Sequence, residues 1–347
     1  MSQEKISDTT VLKQGRSAAG PSPQSACDLK DPSLYVNREL AWLEFNRRVL
    51  EEARDRLTPV LEKLKFASIF SSNLDEYFMI RVGGLLQVLK AELEHIDDSG
   101  RTPRQELDEI AVKVRELVSE QYRCIVKDIL PQLEKAGIYI HALDKLDARE
   151  RERLNLYFEE QVFPILTPFA VDAGHPFPFL GNLRLNIMVL FKEKDQMDTK
   201  DTKAYAFVEV PSVLPRLIPV NASKKRGYHF ILLETLVRRN IQRLFPGMEI
   251  TDIITFRVTR NQDYDLHEED VLDLAESVQS ELRDRAKQTA VRIEIEPNAP
   301  KKIIRFLSQN LDVEERLIFA IDGPINICDF NSIHELAVGP PLKDIPF

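Results

Sequence analysis

The stretch from about residue 35 to 137 carries apolar residues at helical spacing. From Arg38 to Arg56, apolar side chains recur every three or four positions, which predicts a helix with Asn37 as its capping residue. Three further helices are predicted, over 61–70, from 74 to about 94, and from 103 to a kink or end at Pro131. This part of the chain therefore predicts a helical bundle.

After Gly137 the pattern changes to mixed helices and strands. Segments rich in branched and aromatic residues predict strands over 184–192, 204–210, 250–259 and 290–296. Helical spacing returns over 234–245, 268–287 and 301–310, and a charged loop spans 193–203. Strands and helices in mixed order indicate an α+β domain, so the predicted fold class is α+β, with a helical bundle followed by a mixed α+β domain.

The same patterns divide the chain into four parts. Residues 1–33 are polar and rich in Gly, Pro and Ser, which predicts a disordered tail. The helical domain is predicted over 34–137 and the α+β domain over 138–335. Residues 336–347 are Pro-rich and have the character of a linker. A chain that stops in a linker is expected to be a fragment.

Composition narrows the class of protein. The chain has 347 residues, a hydrophobic content of 43% and a formal net charge of −9, which indicates a globular protein without a main nucleic-acid-binding surface. Its three cysteines are far apart and form no zinc or disulfide pattern, which favours a reducing, cytoplasmic compartment. No run of about 18 apolar residues predicts a membrane span, and the amino terminus does not read as a signal peptide.

Sequence motifs that carry catalysis are not found. Phosphate loops, dinucleotide fingerprints and HExxH or GxSxG patterns are missing, and the six histidines stand singly in the sequence. His175 lies beside two prolines, at 176 and 178, and is expected to be a structural residue in a rigid turn. The sequence therefore predicts no catalytic residue and no metal ligand.

The polar break Ser71-Ser72-Asn73 offers the strongest candidate residue. Asn73 is predicted to begin a helix as its cap, with Glu76 three residues later as in a capping box. Alternatively, its carboxamide carries both a donor and an acceptor and could pair with the amine and a ring nitrogen of adenine.

Two groups of arginines are candidates for contact with a polyanion. Arg238, Arg239 and Arg243 form a basic helix face, and Arg257 and Arg260 flank the end of a predicted strand. Charges of this kind are more often ordinary surface groups, so both interpretations stay open. The acidic segment 268–284 would repel a polyanion nearby.

Five separate stretches form a further pattern; in chain order they are NRELAWLEFN at 37–46, SSNLDE at 71–76, LTPFAVDAGHPFPF at 166–179, LFPGM at 244–248 and FRVTRN at 256–261. Together these stretches resemble the polyphosphate kinases that use a phosphohistidine. Their order and spacing agree with that family over about 35–347.

The resemblance implies a function and a site. Members transfer the terminal phosphate of ATP reversibly to polyphosphate, use Mg²⁺, and carry the phosphohistidine and the metal ligands in domains beyond the two seen here. For this chain it implies that 336–347 leads to missing catalytic domains, that the chain alone is inactive, and that Asn73 contacts the base of ATP or ADP. It also implies a homodimer or homotetramer formed through the head domain (138–335), in the cytoplasm, with peripheral association at the inner membrane left open. The alternative is a truncated, non-catalytic paralogue that acts as a dimerisation module.

Overall fold

The computed structural model describes residues 28–93, 96–171, 177–192, 205–221, 226–262, 288–336, 338 and 341–344. Several predictions lie outside the described residues: most of the tail, the loop 193–203, the helix 268–287 and the turn with His175. No helix in the described ranges is long and apolar enough to cross a bilayer.

The first part of the chain is helical, as predicted. Its helices are α1 Arg38–Arg54, α2 Val60–Tyr77, α3 Gly83–Lys90, α4 Pro103–Cys124 and α5 Leu130–Lys135. Asn37 caps α1 by accepting a hydrogen bond from the Leu40 amide, and Thr102 begins α4 with a capping box. Pro131 lies in the first turn of α5, directly after a π-helical turn at Ile125–Ile129, so the chain stays helical across it.

The predicted helix break at Asn73 is wrong. Helix α2 runs through it to Tyr77, and a π-helical turn, Phe78–Val82, connects α2 to α3 without a loop. The polar side chains of this region have partners inside the fold: the hydroxyl of Ser68 donates to the Leu64 carbonyl, and Ser71 accepts from Gln121. Because packing satisfies these groups, they do not need to cap a helix end.

The described residues of the second part of the chain form two sheets. Strands β1 Ile138–Ile140, β6 Tyr228–Leu232 and β5 Leu217–Pro219 form the smaller sheet in that order. The larger sheet has the order β2-β4-β3-β7-β8-β9, with β2 Pro168–Val171, β3 Leu185–Phe191, β4 Tyr205–Glu209, β7 Ile250–Arg260, β8 Ala290–Ile295 and β9 Ile318–Ala320. Neighbours in the larger sheet are antiparallel except β8 and β9. Helices α6 Ala148–Tyr157, α7 Leu233–Asn240, α8 Lys301–Leu311 and α9 Asn331–His334 complete the described part.

The two faces of the larger sheet differ in chemistry. One is aromatic. Phe207 of β4 packs against Phe256 of β7 across the intervening strand β3, and Tyr205 contacts Phe306 of α8. The other carries the buried charges Arg257 and Arg292, which both pair with Asp75 of α2. Within the part of the chain that the structure describes, one apolar core runs from the helices into the sheet, and the α+β class is confirmed. The domain boundaries stay a prediction, although Gly137, with φ of +83°, makes the left-handed turn from α5 to β1.

Candidate functional site

Two clefts flank the carboxyl-terminal end of α2. The first, which we call the Asn73 cleft, has a volume of about 970 Å³ and is lined by Trp42, Phe45, Asn73, Tyr77 and the start of α4. The second, the Arg216 cleft, has a volume of about 920 Å³ and lies between α2, the start of β3 and the turn before α9. Glu76 and Ile80 line both clefts, so the end of α2 forms the wall between them.

The Asn73 cleft has an aromatic wall. Trp42 stacks on the buried Tyr77 with ring centroids 4.7 Å apart and an interplanar angle of 15°. Phe45, one turn along α1 from Trp42, is 46% exposed and contributes a second aromatic surface. Flat apolar walls with a few polar groups are typical of sites that bind small planar molecules.

Asn73 lies in this cleft with its amide partly engaged. Its Nδ2 donates to Oδ1 of Asn46 on α1 (3.1 Å), and Asn46 Nδ2 donates to the main-chain carbonyl of Phe70 (3.1 Å). Among the described residues, none donates a hydrogen bond to Asn73 Oδ1. Asn73 therefore lies inside a helix and is not its cap, and its Oδ1 can serve as the acceptor that the alternative interpretation of the sequence assigned to an adenine contact.

Three carboxylates, of Glu39, Asp97 and Glu106, lie close together along one side of the Asn73 cleft. Asn37 Nδ2 donates to both Asp97 Oδ2 (2.7 Å) and Glu106 Oε1 (2.6 Å), and Glu39 lies nearby. Burial, together with the charges of Glu39 and Asp97, raises the pKa of Glu106 above its usual value. The arginines of the cleft are already paired, Arg81 with Glu39 among them. This charge pattern suits an uncharged ring better than a phosphate group.

We expect the substitution Glu106→Gln to stabilise the protein slightly at neutral pH. The glutamine amide still accepts from Asn37 but carries no ionisable group. In the native protein, folding raises the pKa of the Glu106 carboxyl, so the free energy of unfolding falls as pH rises above about 4.3, the pKa of an unperturbed glutamate. Chemical denaturation should therefore give the variant the same free energy of unfolding as the native protein near pH 4 and a higher one at pH 7.

Glu109→Gln is the matched control on the same helix. Glu109 is exposed and pairs with Arg101 (Nε to Oε1, 3.0 Å), so its loss should not stabilise the protein at any pH. The same gain at pH 7 in both variants would contradict the assignment to the Glu106 cluster.

Buried ion pairs form the floor of the Arg216 cleft. The Asp75 carboxylate accepts hydrogen bonds from Arg257, with Nη2 to Oδ1 at 2.7 Å, and from Arg292. Arg257 also donates to Glu294 (2.6 Å). Burial opposes the charge of Arg257, but Glu294 and Asp75 outweigh it and hold its pKa above the usual range. Burial, followed by the charge of Asp75, raises the pKa of the Cys328 thiol in this cleft to about 12, so the thiol is protonated and a poor nucleophile.

Most of the arginines considered for polyanion contact are engaged within the chain. Arg257 is buried in the Asp75 network, Arg238 pairs with Glu296, and Arg243 pairs with Glu159. Arg260 donates to the main-chain carbonyls of Leu180 and Gln288 and stacks on Phe179. Arg239 is exposed. The structure therefore brings none of these arginines into the Asn73 cleft.

Histidines that stand singly in the sequence have partners in the fold. His141 Nε2 and His229 Nδ1 are 2.9 Å apart between β1 and β6, and His334 Nε2 lies 2.8 Å from Glu62 Oε1 at the start of α2. Sequence spacing could not find these pairs, because 88 and 272 residues separate the partners. Within the described ranges, no group of three or more His, Cys, Asp or Glu side chains is arranged to hold a metal ion.

Comparison with known protein families gives two matches. The model of the polyphosphate kinase middle domain matches residues 149–333, and that of the polyphosphate kinase N-terminal domain matches residues 35–141. Together they cover the helical part and both sheets.

Individual proteins agree with these matches. A polyphosphate kinase 1 of Chlorobaculum tepidum is 40% identical over 326 residues, 92% of this chain and 46% of that protein. A polyphosphate kinase of Bacillus anthracis is 40% identical over 89% of this chain and 44% of its own length. The crystal structure of a polyphosphate kinase from Porphyromonas gingivalis superposes with a TM-score of 0.70 at 26% identity, over 90% of this chain and 42% of that one. The chain thus spans less than half the length of these relatives.

Proposed function

Because this chain belongs to the polyphosphate kinase family, we propose that it forms the base-binding half of an ATP:polyphosphate phosphotransferase. The complete enzyme transfers the terminal phosphate of ATP reversibly to polyphosphate. In this proposal Asn73 and the aromatic wall of its cleft hold the adenine ring, while the phosphorylated histidine lies in domains that this chain does not contain.

The observation that carries the proposal is the position of Asn73 in an aromatic cleft. An adenine ring needs flat apolar surface and an amide-like group that pairs with its edge, and Trp42, Tyr77 and Asn73 line one cavity. The carboxylates of the same cleft disfavour a triphosphate there, so the phosphates extend out of it toward the transfer site. The contribution of this chain to catalysis is then positioning of the nucleotide.

The remaining parts of the proposal rest on the family. We propose that ATP or ADP and polyphosphate are the substrates, that the Mg²⁺ ligands come from outside this chain, and that this chain alone does not transfer phosphate. We also propose a homodimer or homotetramer in the cytoplasm.

A fluorescence titration with ATP tests the proposal, because Trp42 is the only tryptophan of the sequence and lies in the proposed site. ATP should change the Trp42 emission, and Asn73→Ala should weaken the fitted affinity about tenfold, the order expected for one or two lost hydrogen bonds to a neutral base.

Ser72→Ala serves as the matched control, since Ser72 precedes Asn73 on α2 but lines the other cleft. Its affinity for ATP should equal that of the native chain. An Asn73→Ala variant that binds ATP as tightly as the native chain would remove Asn73 from the site.

A further inference from the structure

The amides of Asn46 and Asn73 form a chain of two hydrogen bonds with a defined donor-to-acceptor direction, which we call the amide relay. Asn46 is fully buried on α1 and faces α2. It donates to the Phe70 carbonyl through Nδ2 and accepts from Asn73 Nδ2 through Oδ1, both over 3.1 Å. Both ends of the Asn46 amide thus have defined partners, and Asn73 is engaged through its NH₂ group.

The direction of this relay is fixed by the main chain. The Phe70 carbonyl can only accept, so the end of the Asn46 amide that faces it must be the NH₂ group. The other end of Asn46 is then an oxygen, and only the NH₂ group of Asn73 can pair with it. A flip of Asn73 would place two amide oxygens against each other beside a buried residue, which is unfavourable.

We propose that Asn46 is a positioning residue that holds the oxygen of Asn73 available to the ligand and thereby selects purines with a 6-amino group. The inference rests on the proposed function, because it takes Asn73 as the residue that contacts the base. The 6-amino group of adenine donates to Oδ1, and the second N–H of Asn73 stays free for a ring nitrogen. A 6-oxo purine instead places an acceptor opposite Oδ1 and is rejected.

A series of three nucleotides tests the orientation in the unchanged protein. ATP, purine riboside triphosphate (hydrogen at position 6) and inosine triphosphate (oxygen at position 6) are titrated against the Trp42 emission. ATP should bind best, the 6-hydrogen compound about tenfold more weakly, and inosine triphosphate more weakly still. Inosine triphosphate that binds as well as the 6-hydrogen compound, or better, would overturn the proposal, because Asn73 would then present its NH₂ group.

The variant Asn46→Ala separates positioning from a general structural role. Without Asn46, the amide of Asn73 can turn, so the preference for ATP over inosine triphosphate should shrink about tenfold, mainly through tighter binding of inosine triphosphate. A merely structural role would weaken all three nucleotides by one factor and leave their ratios unchanged, which would refute the role of Asn46. The nucleotide series needs only the native chain, so it decides the orientation even where this variant does not fold.

The two proposals fail in different ways. If ATP does not bind, or if Asn73→Ala leaves its affinity unchanged, the base-binding function itself is wrong. If Asn73→Ala weakens ATP but the nucleotide ratios do not depend on position 6 or on Asn46, the function stands and the relay does not select the base.

Discussion

Replacing Asp75 by Asn is expected to lower the free energy of unfolding by about 3–5 kcal/mol. The Asp75 carboxylate is 5% exposed and joins Arg257 and Arg292, each 2% exposed. Asparagine fits the same space but removes the charge, so Glu294 alone would face two buried guanidinium groups. An unbalanced charge in this interior is costly because water cannot solvate it.

Chemical denaturation of matched variants measures this effect. Glu76→Gln removes the next carboxylate on α2, which is exposed, and should change the free energy of unfolding by less than ~0.5 kcal/mol. Combining Asp75→Asn with Arg292→Gln should cost less than the sum of the single changes, because both act on one ion pair. Equal midpoints for Asp75→Asn and Glu76→Gln would contradict a structural role of this network.

The Asp75 network also explains the placement of the candidate site. Asp75 and Asn73 are two residues apart on α2, so their side chains leave the helix about 200° apart. The Asp75 side chain points toward the larger sheet and pairs with Arg257, whereas the Asn73 side chain faces α1 and lines the Asn73 cleft. Fixing one side of α2 against β7 and β8 therefore fixes the direction of Asn73 on the other side.

The sequence predicted the regular elements well where periodicity was strong. Helix α1 and its Asn37 cap, and strands β3, β4, β7 and β8, were found from spacing and composition. Strands β1, β2, β5, β6 and β9 were missed, because segments of three to five residues are too short to show a clear period. Their presence depends on neighbours distant in sequence.

The sequence was least informative about polar residues whose partners are distant. Ser72 and Asn73 carried the signature of a helix start, but α2 runs through both, and the Asn73 amide pairs instead with Asn46, 27 residues away. Likewise Arg292 and Glu294 alternate with apolar residues as on a solvent-exposed strand face, yet every residue of β8 is buried. Alternation of apolar and charged residues shows that the two faces of a strand differ in chemistry. It does not distinguish a buried face with paired charges from a solvent-exposed face.

A second network holds the turn that leads to α9. The Arg216 guanidinium donates to the Glu234 carboxylate of α7 (Nη2 to Oε1, 2.6 Å) and to the main-chain carbonyls of Ile325 and Asn326 (each 2.5 Å). The Asn326 side chain accepts from Arg257, so the two networks meet at this residue. Asn326 adopts a left-handed conformation with φ of +59°, which is strained for most side chains and tolerated best by Gly and Asn.

Arg216→Met should therefore lower the free energy of unfolding by about 3–5 kcal/mol. Methionine keeps much of the apolar stem but leaves the buried Glu234 carboxylate and two carbonyls without their donor. Arg216→Lys should be intermediate, because a single ammonium group cannot reach all these acceptors at once. Arg239→Met on the exposed side of α7 is the control and should change the midpoint of chemical denaturation little. An Arg216→Lys variant as stable as the native chain would show that the charge of Arg216, rather than the geometry of its guanidinium, holds this turn.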